Sequence, residues 1–583
     1  LNVISPQMDE SYAMPSQGGY ASSEQIQEIL ELAHVSTDTE DPAEIAKLIS
    51  TYNVALTEME FLAHRSLAEF RVPPLVKSGE ATRASSPLED KVKVLLISLI
   101  APAYIAQRQG AFGVNLLAAY LRARLKDSAD VKTVDMQALL DSQDAQAEKM
   151  SLDEKFAHTI QKIVAEIKGS QPHIVGLSMK WGTMELSESL IAEINTQLGE
   201  DRPLIVLGNV MPTFASDHLF ERALLKDTVM VIGEGEDALV EIIRRAARNI
   251  QSVRQREQYR GIANTKLEKG ESVQRVAVDL GNYIALNEDN APELLSKGGS
   301  ATIETSRGCP WLHCTFCSIK ELYGSRCMDW RVLPIEDVLA MVRAYAKAGK
   351  RRIHIVDSEF FGAMYTDEDF AATFNRAAEF AKGVMAINDE LGLSGNDKIT
   401  FSHISARTDT VYKEEEGQRN VQRIRMYELL REAGVQSVFV GTESGSAADL
   451  KRFAKGVSPQ EGEEAIRILE GIGYEVEPGF IFFNPFSTME ILRENIDFVG
   501  KNRLYEKNVR VFDPLRVQLG SPFVKMTRNG ALLGELNIEN LGFASGYQDP
   551  NVALIESLYR DWERQDLDLI IRFFDFDFVL FSI

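Results

Sequence analysis

Four cysteines are the residues of this sequence best suited to chemistry, and all of them lie in one short segment. They are Cys309, Cys314, Cys317 and Cys327, and the 583-residue chain has no others. Core cysteines would be scattered, whereas clustered thiols in a cytosolic protein indicate metal or cluster binding. Disulfide bonds are not expected in a reducing cytoplasm. The segment is therefore predicted to bind a metal ion or a cluster.

The spacing of the first three cysteines favours an iron–sulfur cluster. Cys309, Cys314 and Cys317 follow the pattern C-x4-C-x2-C, and three thiolates can ligate three irons of a [4Fe–4S] cube and leave the fourth iron open. A zinc site prefers four ligands and usually paired C-x2-C knuckles, and only one C-x2-C is present. With Cys327 as a fourth ligand, the site would be a closed electron-transfer cluster or a zinc site. We favour a buried Cys327 that binds no metal.

The composition disfavours several classes of protein. The formal net charge is −23 and the pI is about 5.0, and a strongly acidic surface repels the phosphates of a nucleic acid. No apolar run reaches the length of a membrane span, about 18 residues. Residues 1–20 lack the basic start and the apolar centre of a signal peptide. We expect a cytoplasmic protein with neither nucleic-acid nor membrane partners.

Two series of alternating strands and helices must position the cysteines. The first predicts an α/β domain with a doubly wound, flavodoxin-like Rossmann sheet, and the second predicts a partial (β/α)6 barrel. The strands predicted for the first series are 92–98, 131–135, 173–178, 203–208 and 228–233. Those predicted for the second series are 301–305, 352–356, 399–404, 437–441, 475–483 and 509–512.

These patterns divide the chain into five regions. Ligands of both sheet types sit beyond the carboxyl ends of the strands, and the cysteine segment directly follows the first barrel strand. The predicted regions are a helical N-terminal region (1–90), a doubly wound domain (91–250), a connector (251–295), the barrel (296–515) and a C-terminal module (516–583). The loops at the strand ends of the doubly wound domain are 99–113, 179–183, 208–213 and 233–236.

At this point the sequence resembles the cobalamin-binding branch of the radical S-adenosylmethionine (SAM) superfamily. The resemblance covers about residues 92–515 and starts from Arg307-Gly308 before Cys309-Pro310-Trp311. The family usually spaces its cysteines C-x3-C-x2-C, so this loop is one residue longer. The resemblance implies that Cys309, Cys314 and Cys317 bind a [4Fe–4S] cluster whose open iron binds SAM.

Further matches to the family lie at the ends of the later barrel strands. They imply that residues 357–359 hold the amino group of SAM, that Arg407 pairs with its carboxylate, and that 443–444 contact the ribose. An Arg suits this task because its planar fork binds carboxylate with two hydrogen bonds. Taken singly, Asp357 could be a helix cap and Arg407 a surface charge. The predicted contacts of SAM are Phe316, Asp357, Ser358, Glu359, Ser405, Arg407, Glu443, Ser444 and Ile481.

The doubly wound domain is similar to the cobalamin-binding domain of the same branch. The D-x-H-x-x-G signature is absent, as is common in this branch, so no protein His is expected below the cobalt. The alternative is a domain that binds another nucleotide or nothing, although a P-loop and a dinucleotide fingerprint are both lacking. The predicted contacts of cobalamin are Ser98, Ala101, Gly113, Ser178, Gly208, Asn209, Val210, Gly233, Glu234 and Gly235.

The resemblance implies an enzyme that uses all three cofactors and an electron donor of the flavodoxin or ferredoxin type. A 5′-deoxyadenosyl radical would take hydrogen from the substrate, and methylcobalamin would deliver a methyl group. This predicts C-methylation of an unactivated or sp2 carbon in a small molecule or peptide. Two alternatives stay open. One is a rearrangement, cyclisation or oxidation with the same cofactors, and the other is a non-catalytic cluster- or cobalamin-binding protein.

Overall fold

Most of the chain beyond residue 90 is described by the computed structural model. The described residues are 91–102, 111–141, 150–283, 286, 289–295, 301–324, 330–507 and 511–560. The helical region predicted at 1–90 and Cys327 lie outside them. In this part of the chain, no helix is both long and apolar enough to cross a membrane.

The first sheet has the predicted doubly wound architecture. Its strand order is β2-β1-β3-β4-β5-β6, and all pairs are parallel except β5 with β6, an edge strand that the sequence did not predict. The strand order reverses between β1 and β3, which is where ligands of such sheets bind. The strands are β1 (Val92–Ser98), β2 (Ala129–Asp135), β3 (Ile174–Ser178), β4 (Leu204–Gly208), β5 (Val229–Val231) and β6 (Thr265–Lys266).

Helices cover both faces of this sheet because its strands are apolar on both sides. In β1, Leu96 packs with the helices at 112–125 and 236–248, whereas Leu95 packs with the helices at 152–170 and 184–198. The loop predicted at 208–213 is wrong from Val210 onward, where α5 begins. Asn209 accepts a hydrogen bond from Val210 N, and Pro212 lies in the first turn, where its missing N–H costs nothing. The helices are α1 (Phe112–Leu125), α2 (Met136–Asp141), α3 (Leu152–Ser170), α4 (Met184–Leu198), α5 (Val210–Phe220) and α6 (Glu236–Arg248).

The second half is built on five parallel strands in the order β13-β12-β11-β10-β7. A short antiparallel pair, β8 with β9, flanks the cysteine segment. The strands are β7 (Ala301–Ile303), β8 (Ser306–Arg307), β9 (Arg331–Val332), β10 (Arg352–Ile355), β11 (Thr400–Arg407), β12 (Val435–Glu443) and β13 (Glu475–Phe480).

The strand predicted at 509–512 is not formed in the residues that are described there. Val511 and Phe512 lie in a turn, and the next residues make one parallel bridge, from Pro514 to Phe483. Leu515 N donates the hydrogen bond of this bridge to Phe483 O over 2.7 Å. Together with the five strands, the bridge leaves the described sheet as a partial barrel.

Helices alternate with the barrel strands, and a small module follows them. Two of the longer helices, α10 and α14, start at capping boxes headed by Thr366 and Ser458. The helices are α7 (Pro292–Leu295), α8 (Ile319–Tyr323), α9 (Ile335–Lys347), α10 (Asp367–Glu390), α11 (Thr408–Val411), α12 (Gly417–Glu432), α13 (Ala447–Arg452), α14 (Pro459–Ile472) and α15 (Met489–Lys501). The C-terminal module comprises β14 (Val517–Gln518), α16 (Phe523–Asn529), β15 (Leu533–Asn537) and β16 (Gly542–Ser545).

Candidate functional site

The cysteine loop, residues 308–318, is held by the segment that follows α13. Thr315 N donates a hydrogen bond to Phe453 O over 3.0 Å, and Trp311 Nε1 donates to Ala454 O over 2.7 Å. These bonds fix the backbone on both sides of Cys314. The loop is therefore anchored to the segment that follows α13.

The three thiols of this loop form no disulfide and lie beside one another on half-buried residues. Burial raises the pKa of Cys309, Cys314 and Cys317, and the neighbouring thiols help to raise the pKa of Cys317 to about 12. Within the described residues, no three His, Cys, Asp or Glu side chains are arranged to hold one metal ion. In a [4Fe–4S] cluster each thiolate binds its own iron, so neighbouring thiols that do not converge on one point fit this donor set. That they bind a cluster stays a prediction.

Arg407 ends β11 beside these thiols and keeps one donor group unused. Its Nε and Nη2 atoms each donate to the Asp409 carboxylate over 2.9 Å, and its guanidinium lies 4.5 Å from the centre of the Trp311 ring. The Nη1 atom is buried and has no partner among the described residues. Leaving such a group unsatisfied costs about 1–3 kcal/mol or more. A carboxylate is the natural acceptor for it.

Two acidic side chains stand beyond β10 and at the end of β12, the two strands that flank β11. Glu359 is 2% exposed, and burial raises its pKa to about 8 in spite of the nearby Arg407. Its carboxyl group therefore holds a proton more tightly than an ordinary glutamate does. Glu443 has a φ of 64°, and its carboxylate accepts a 2.8 Å hydrogen bond from the buried Lys455 Nζ. These groups share the site with Arg407.

Some of the predicted SAM contacts already have partners within the fold. The Asp357 carboxylate accepts a hydrogen bond from Thr305 N over 2.7 Å, and Ser444 Oγ donates to Asn495 Oδ1 over 2.8 Å. These bonds tie β10 to β7 and β12 to α15. The roles of both residues toward SAM stay predictions. Two other predicted contacts are Ser358, which is exposed, and Ser405, which is half-buried.

Two of the predicted SAM contacts, Phe316 and Ile481, share one small hydrophobic cluster. Phe316 packs against the buried Ile481 and Phe453 of this cluster, and its ring meets that of Phe453 edge-on at 5.4 Å. Phe523 of α16 belongs to the same cluster, and its backbone N–H donates to Thr315 O over 2.8 Å. The C-terminal module thus supports the cysteine loop from a second side.

A cavity of about 760 Å³ lies at the carboxyl end of the first sheet. A Cβ atom added to Gly113 would meet no other atom within 4 Å, so small residues keep this space open. Of the ten predicted cobalamin contacts, Ser98 is buried in β1 and does not line the cavity. The other nine line it: Ala101, Gly113, Ser178, Gly208, Asn209, Val210, Gly233, Glu234 and Gly235.

The opposite wall of the cavity belongs to the second half and carries an ion cluster centred on Arg307. The guanidinium is 2.9 Å from Glu234, 2.6 Å from Glu236 and 2.9 Å from Glu304. Arg331 adds a second cation, 2.7 Å from Glu234. Three carboxylates therefore face two cations, and burial raises the pKa of Glu304 to about 7. The cluster joins the two halves of the cavity.

The raised pKa of Glu304 predicts a pH-dependent stability that Glu304→Gln removes. The unfolded chain loses this proton near pH 4.5 and the folded chain only near pH 7, so the stabilisation present below pH 4.5 is lost as the pH rises through 7. The loss amounts to about 3 kcal/mol at most. Urea denaturation at pH 5 and pH 8 should show a smaller difference for the variant than for the wild type. Equal changes of stability between pH 5 and pH 8 in the variant and the wild type would contradict a raised pKa of Glu304.

Sequence patterns did not single out several residues that line the cavity or flank the thiols. Each stands alone in the sequence, without a motif to mark it. Lys180 and Trp181 carried one usable signal, since they follow the end of β3, where ligands of such sheets bind. The unpredicted residues are Lys180, Trp181, Glu304, Tyr323, Val356, Asp409, Lys455 and Arg516.

Models of two protein families match separate parts of the chain. The B12 binding domain matches residues 103–243, and the Radical SAM superfamily matches residues 303–499. The first match covers most of the doubly wound sheet, and the second covers the cysteine loop and the barrel strands. The cavity lies where these two parts meet.

Curated relatives match the chain at moderate identity. The 4′-phospho-dehydrooxetanocin synthase of Priestia megaterium is 28% identical over 62% of this chain and 47% of that protein. An uncharacterized methyltransferase of Pyrococcus horikoshii is 24% identical over 70% of this chain and 79% of the relative. The hopanoid C-3 methylase of Methylococcus capsulatus is 27% identical over 30% and 27%. The chain spans about half the length of the synthase.

Two solved structures share the fold. One is the cobalamin-dependent SAM radical enzyme OxsB with aqua-cobalamin and SAM bound, with a TM-score of 0.65 and 22% identity over 82% of this chain and 67% of that one. The other is the radical SAM methyltransferase TsrM of Kitasatospora setae with cobalamin and a [4Fe–4S] cluster bound. Its TM-score is 0.52, with 16% identity over 76% of this chain and 79% of that one.

Proposed function

Because this chain belongs to the cobalamin-binding radical SAM enzymes, whose cofactors are a [4Fe–4S] cluster, SAM and cobalamin, we propose that it methylates carbon. The acceptor is an unactivated or sp2 carbon of a small molecule or peptide. When bound, the cluster and SAM supply a hydrogen-abstracting radical, and cobalamin supplies the methyl group. Two of the three curated relatives described above are named as a methylase or a methyltransferase, which supports this outcome.

One observation carries the proposal: residues of both halves line the same cavity. Gly208 comes from the first sheet, whereas Glu304 and Val356 come from strand ends of the second. Arg307 also lines the cavity, and it precedes Cys309 by two residues. The predicted sites of cobalamin and of the cluster are therefore contiguous, as a transfer between their ligands requires.

The protein's own residues bind and orient the reactants in this proposal. Cys309, Cys314 and Cys317 ligate the cluster as thiolates. The unused Nη1 of Arg407 binds the carboxylate of SAM, while Asp409 fixes the plane of its guanidinium. Holding the reactants in place supplies much of the rate enhancement without a further acid or base.

Arg407→Lys is expected to weaken SAM binding about 10- to 100-fold, because a lysine cannot bind Asp409 and a substrate carboxylate with one planar fork. Equilibrium dialysis with SAM on the reconstituted protein measures the effect. Arg343→Lys, on an exposed ion pair of α9, is the matched control. Wild-type affinity in Arg407→Lys would contradict the assigned role.

The proposed reaction is tested with reduced, reconstituted enzyme and SAM labelled in its methyl group. Label in the product together with S-adenosylhomocysteine supports methyl transfer. 5′-Deoxyadenosine without label transfer supports the second candidate, a rearrangement, cyclisation or oxidation with the same cofactors. That candidate is kept because one relative is named as a 4′-phospho-dehydrooxetanocin synthase rather than as a methylase.

The partners of the enzyme belong to the same proposal. An external donor of the flavodoxin or ferredoxin type supplies electrons to the cluster. Free thiols suit a reducing cytoplasm. The acidic charge of the chain disfavours nucleic acid as the substrate. The choice of donor is tested by reducing the enzyme with flavodoxin instead of a chemical reductant such as dithionite. 5′-Deoxyadenosine should still form.

A further inference from the structure

The C-terminal module lies outside both family matches, yet it docks on the first domain. The Glu539 carboxylate accepts hydrogen bonds from Met184 N over 3.1 Å and from Glu185 N over 2.8 Å. These are donors of the first turn of α4, which lack intrahelical partners. Glu539 therefore caps α4 from a distant part of the sequence. The fully buried Leu541 anchors the module in the hydrophobic cluster that contains Leu177 of β3.

This docking brings Arg516 to the cavity. Arg516 precedes β14, and both it and Trp181 line the cavity. The Arg516 guanidinium lies 5.3 Å from the centre of the Trp181 ring, which is the stacking geometry that an Arg adopts on an aromatic face. Stacking holds the guanidinium in place without using up its N–H donors. Its described hydrogen bond, to Gln518 Oε1, is long at 3.5 Å.

Trp181, which lines the cavity, has an unused donor of its own. Its indole Nε1 is buried and has no hydrogen-bond partner in the described part of the chain. Buried N–H groups are nearly always paired in folded proteins, so an exception beside a cavity calls for an acceptor from a ligand. Trp181 also follows β3, at the point in the sheet where ligands bind.

We infer that the C-terminal module forms a third wall of the cobalamin site, in which the Trp181 indole N–H and the Arg516 guanidinium donate hydrogen bonds to oxygens at the rim of cobalamin. Two groups of cobalamin offer such acceptors. They are the amide carbonyls of the corrin side chains and the phosphate of the nucleotide loop. The inference depends on cobalamin as the ligand of the cavity and does not depend on methyl transfer.

Binding measurements on the full-length protein test this wall. Trp181→Phe keeps an aromatic face for Arg516 and removes only the N–H, and Arg516→Gln removes the cation. Each variant is expected to bind hydroxocobalamin about tenfold more weakly, as measured by visible-absorption titration. Arg528→Gln removes an exposed cation of the same module and should bind like the wild type. Circular dichroism confirms that each variant is folded.

A second titration with diaquacobinamide, which lacks the phosphate and the nucleotide base, identifies the acceptor. Equal losses for cobalamin and cobinamide support the amide carbonyls, whereas a loss for cobalamin alone supports the phosphate. Wild-type affinity of both variants for both ligands overturns the inference. If the wild type itself bound no cobalamin, the cofactor assignment would fail. If the protein bound cobalamin but transferred no methyl group, that result would contradict only the proposed reaction.

Glu539→Ala tests the docking of the module without touching a residue that lines the cavity. Loss of the two capping bonds should loosen the module and weaken hydroxocobalamin binding several-fold. Glu535→Ala, on an exposed position of β15, is the matched control. Unchanged affinity in Glu539→Ala would contradict a wall that depends on this contact.

Discussion

Replacing Cys309, Cys314 or Cys317 by alanine is expected to abolish cluster assembly and to lower 5′-deoxyadenosine formation about 10³-fold or more, since three ligands act as one unit. The loss is large because the remaining two thiolates cannot hold a cube with one open iron. Anaerobic reconstitution followed by iron and sulfide analysis measures assembly. Chromatography of the SAM cleavage products measures the reaction.

The matched control is Cys327→Ala, which removes the one cysteine that we expect to bind no metal. This variant should keep the iron content and the activity of the wild type. If all four variants lost the cluster alike, the site would be closed by four ligands and the open-iron scheme would be wrong. Stoichiometric zinc in the native protein would contradict it as well.

Arg307→Met should destabilise the fold by about 3–5 kcal/mol, because it leaves buried carboxylates without their cation. Three carboxylates, those of Glu234, Glu236 and Glu304, lie within 3 Å of this guanidinium. Urea denaturation at pH 8 measures the change. The loss should be smaller at pH 5, where protonation of the raised-pKa carboxyl of Glu304 relieves part of the unpaired charge.

Arg343→Met is the control for this loss. Arg343 pairs with Glu390 over 3.0 Å, but both side chains are largely exposed, so the expected change is within about 1 kcal/mol. Equal losses of stability in Arg307→Met and Arg343→Met would contradict the prediction that the buried Arg307 cluster contributes more than an exposed ion pair. A loss in Arg307→Met that did not depend on pH would also contradict the account.

The architecture was predictable because its signals are local. Val92–Ser98 is an apolar run broken by one lysine, which is typical of a parallel strand buried on both faces. Strand ends carry ligands in both sheet types, which agrees with the choice of Arg407 and Gly208 from the family resemblance. The doubly wound sheet, the partial barrel and the family resemblance are confirmed, whereas the roles of individual residues stay predictions.

The omissions came from contacts between distant segments, whereas one error arose within a single segment. The loop predicted at 208–213 is this local error, since a helix starts at Val210 and its first turn accommodates Pro212. Arg516 meets Trp181 only after the C-terminal module has docked, and no local pattern encodes that meeting. The resemblance assigned Asp357 to SAM, and its hydrogen bond from Thr305 N, which the sequence did not predict, leaves that assignment untested.

The hydrogen bond from Phe523 N to Thr315 O has a consequence for biosynthesis. Chains emerge from the ribosome amino end first, and domains tend to fold in that order. The brace at Phe523 is therefore made long after Thr315 has left the ribosome tunnel. Iron and sulfide delivered to the nascent chain would meet thiols on a loop that still lacks this brace, so maturation of this protein should follow the completion of translation.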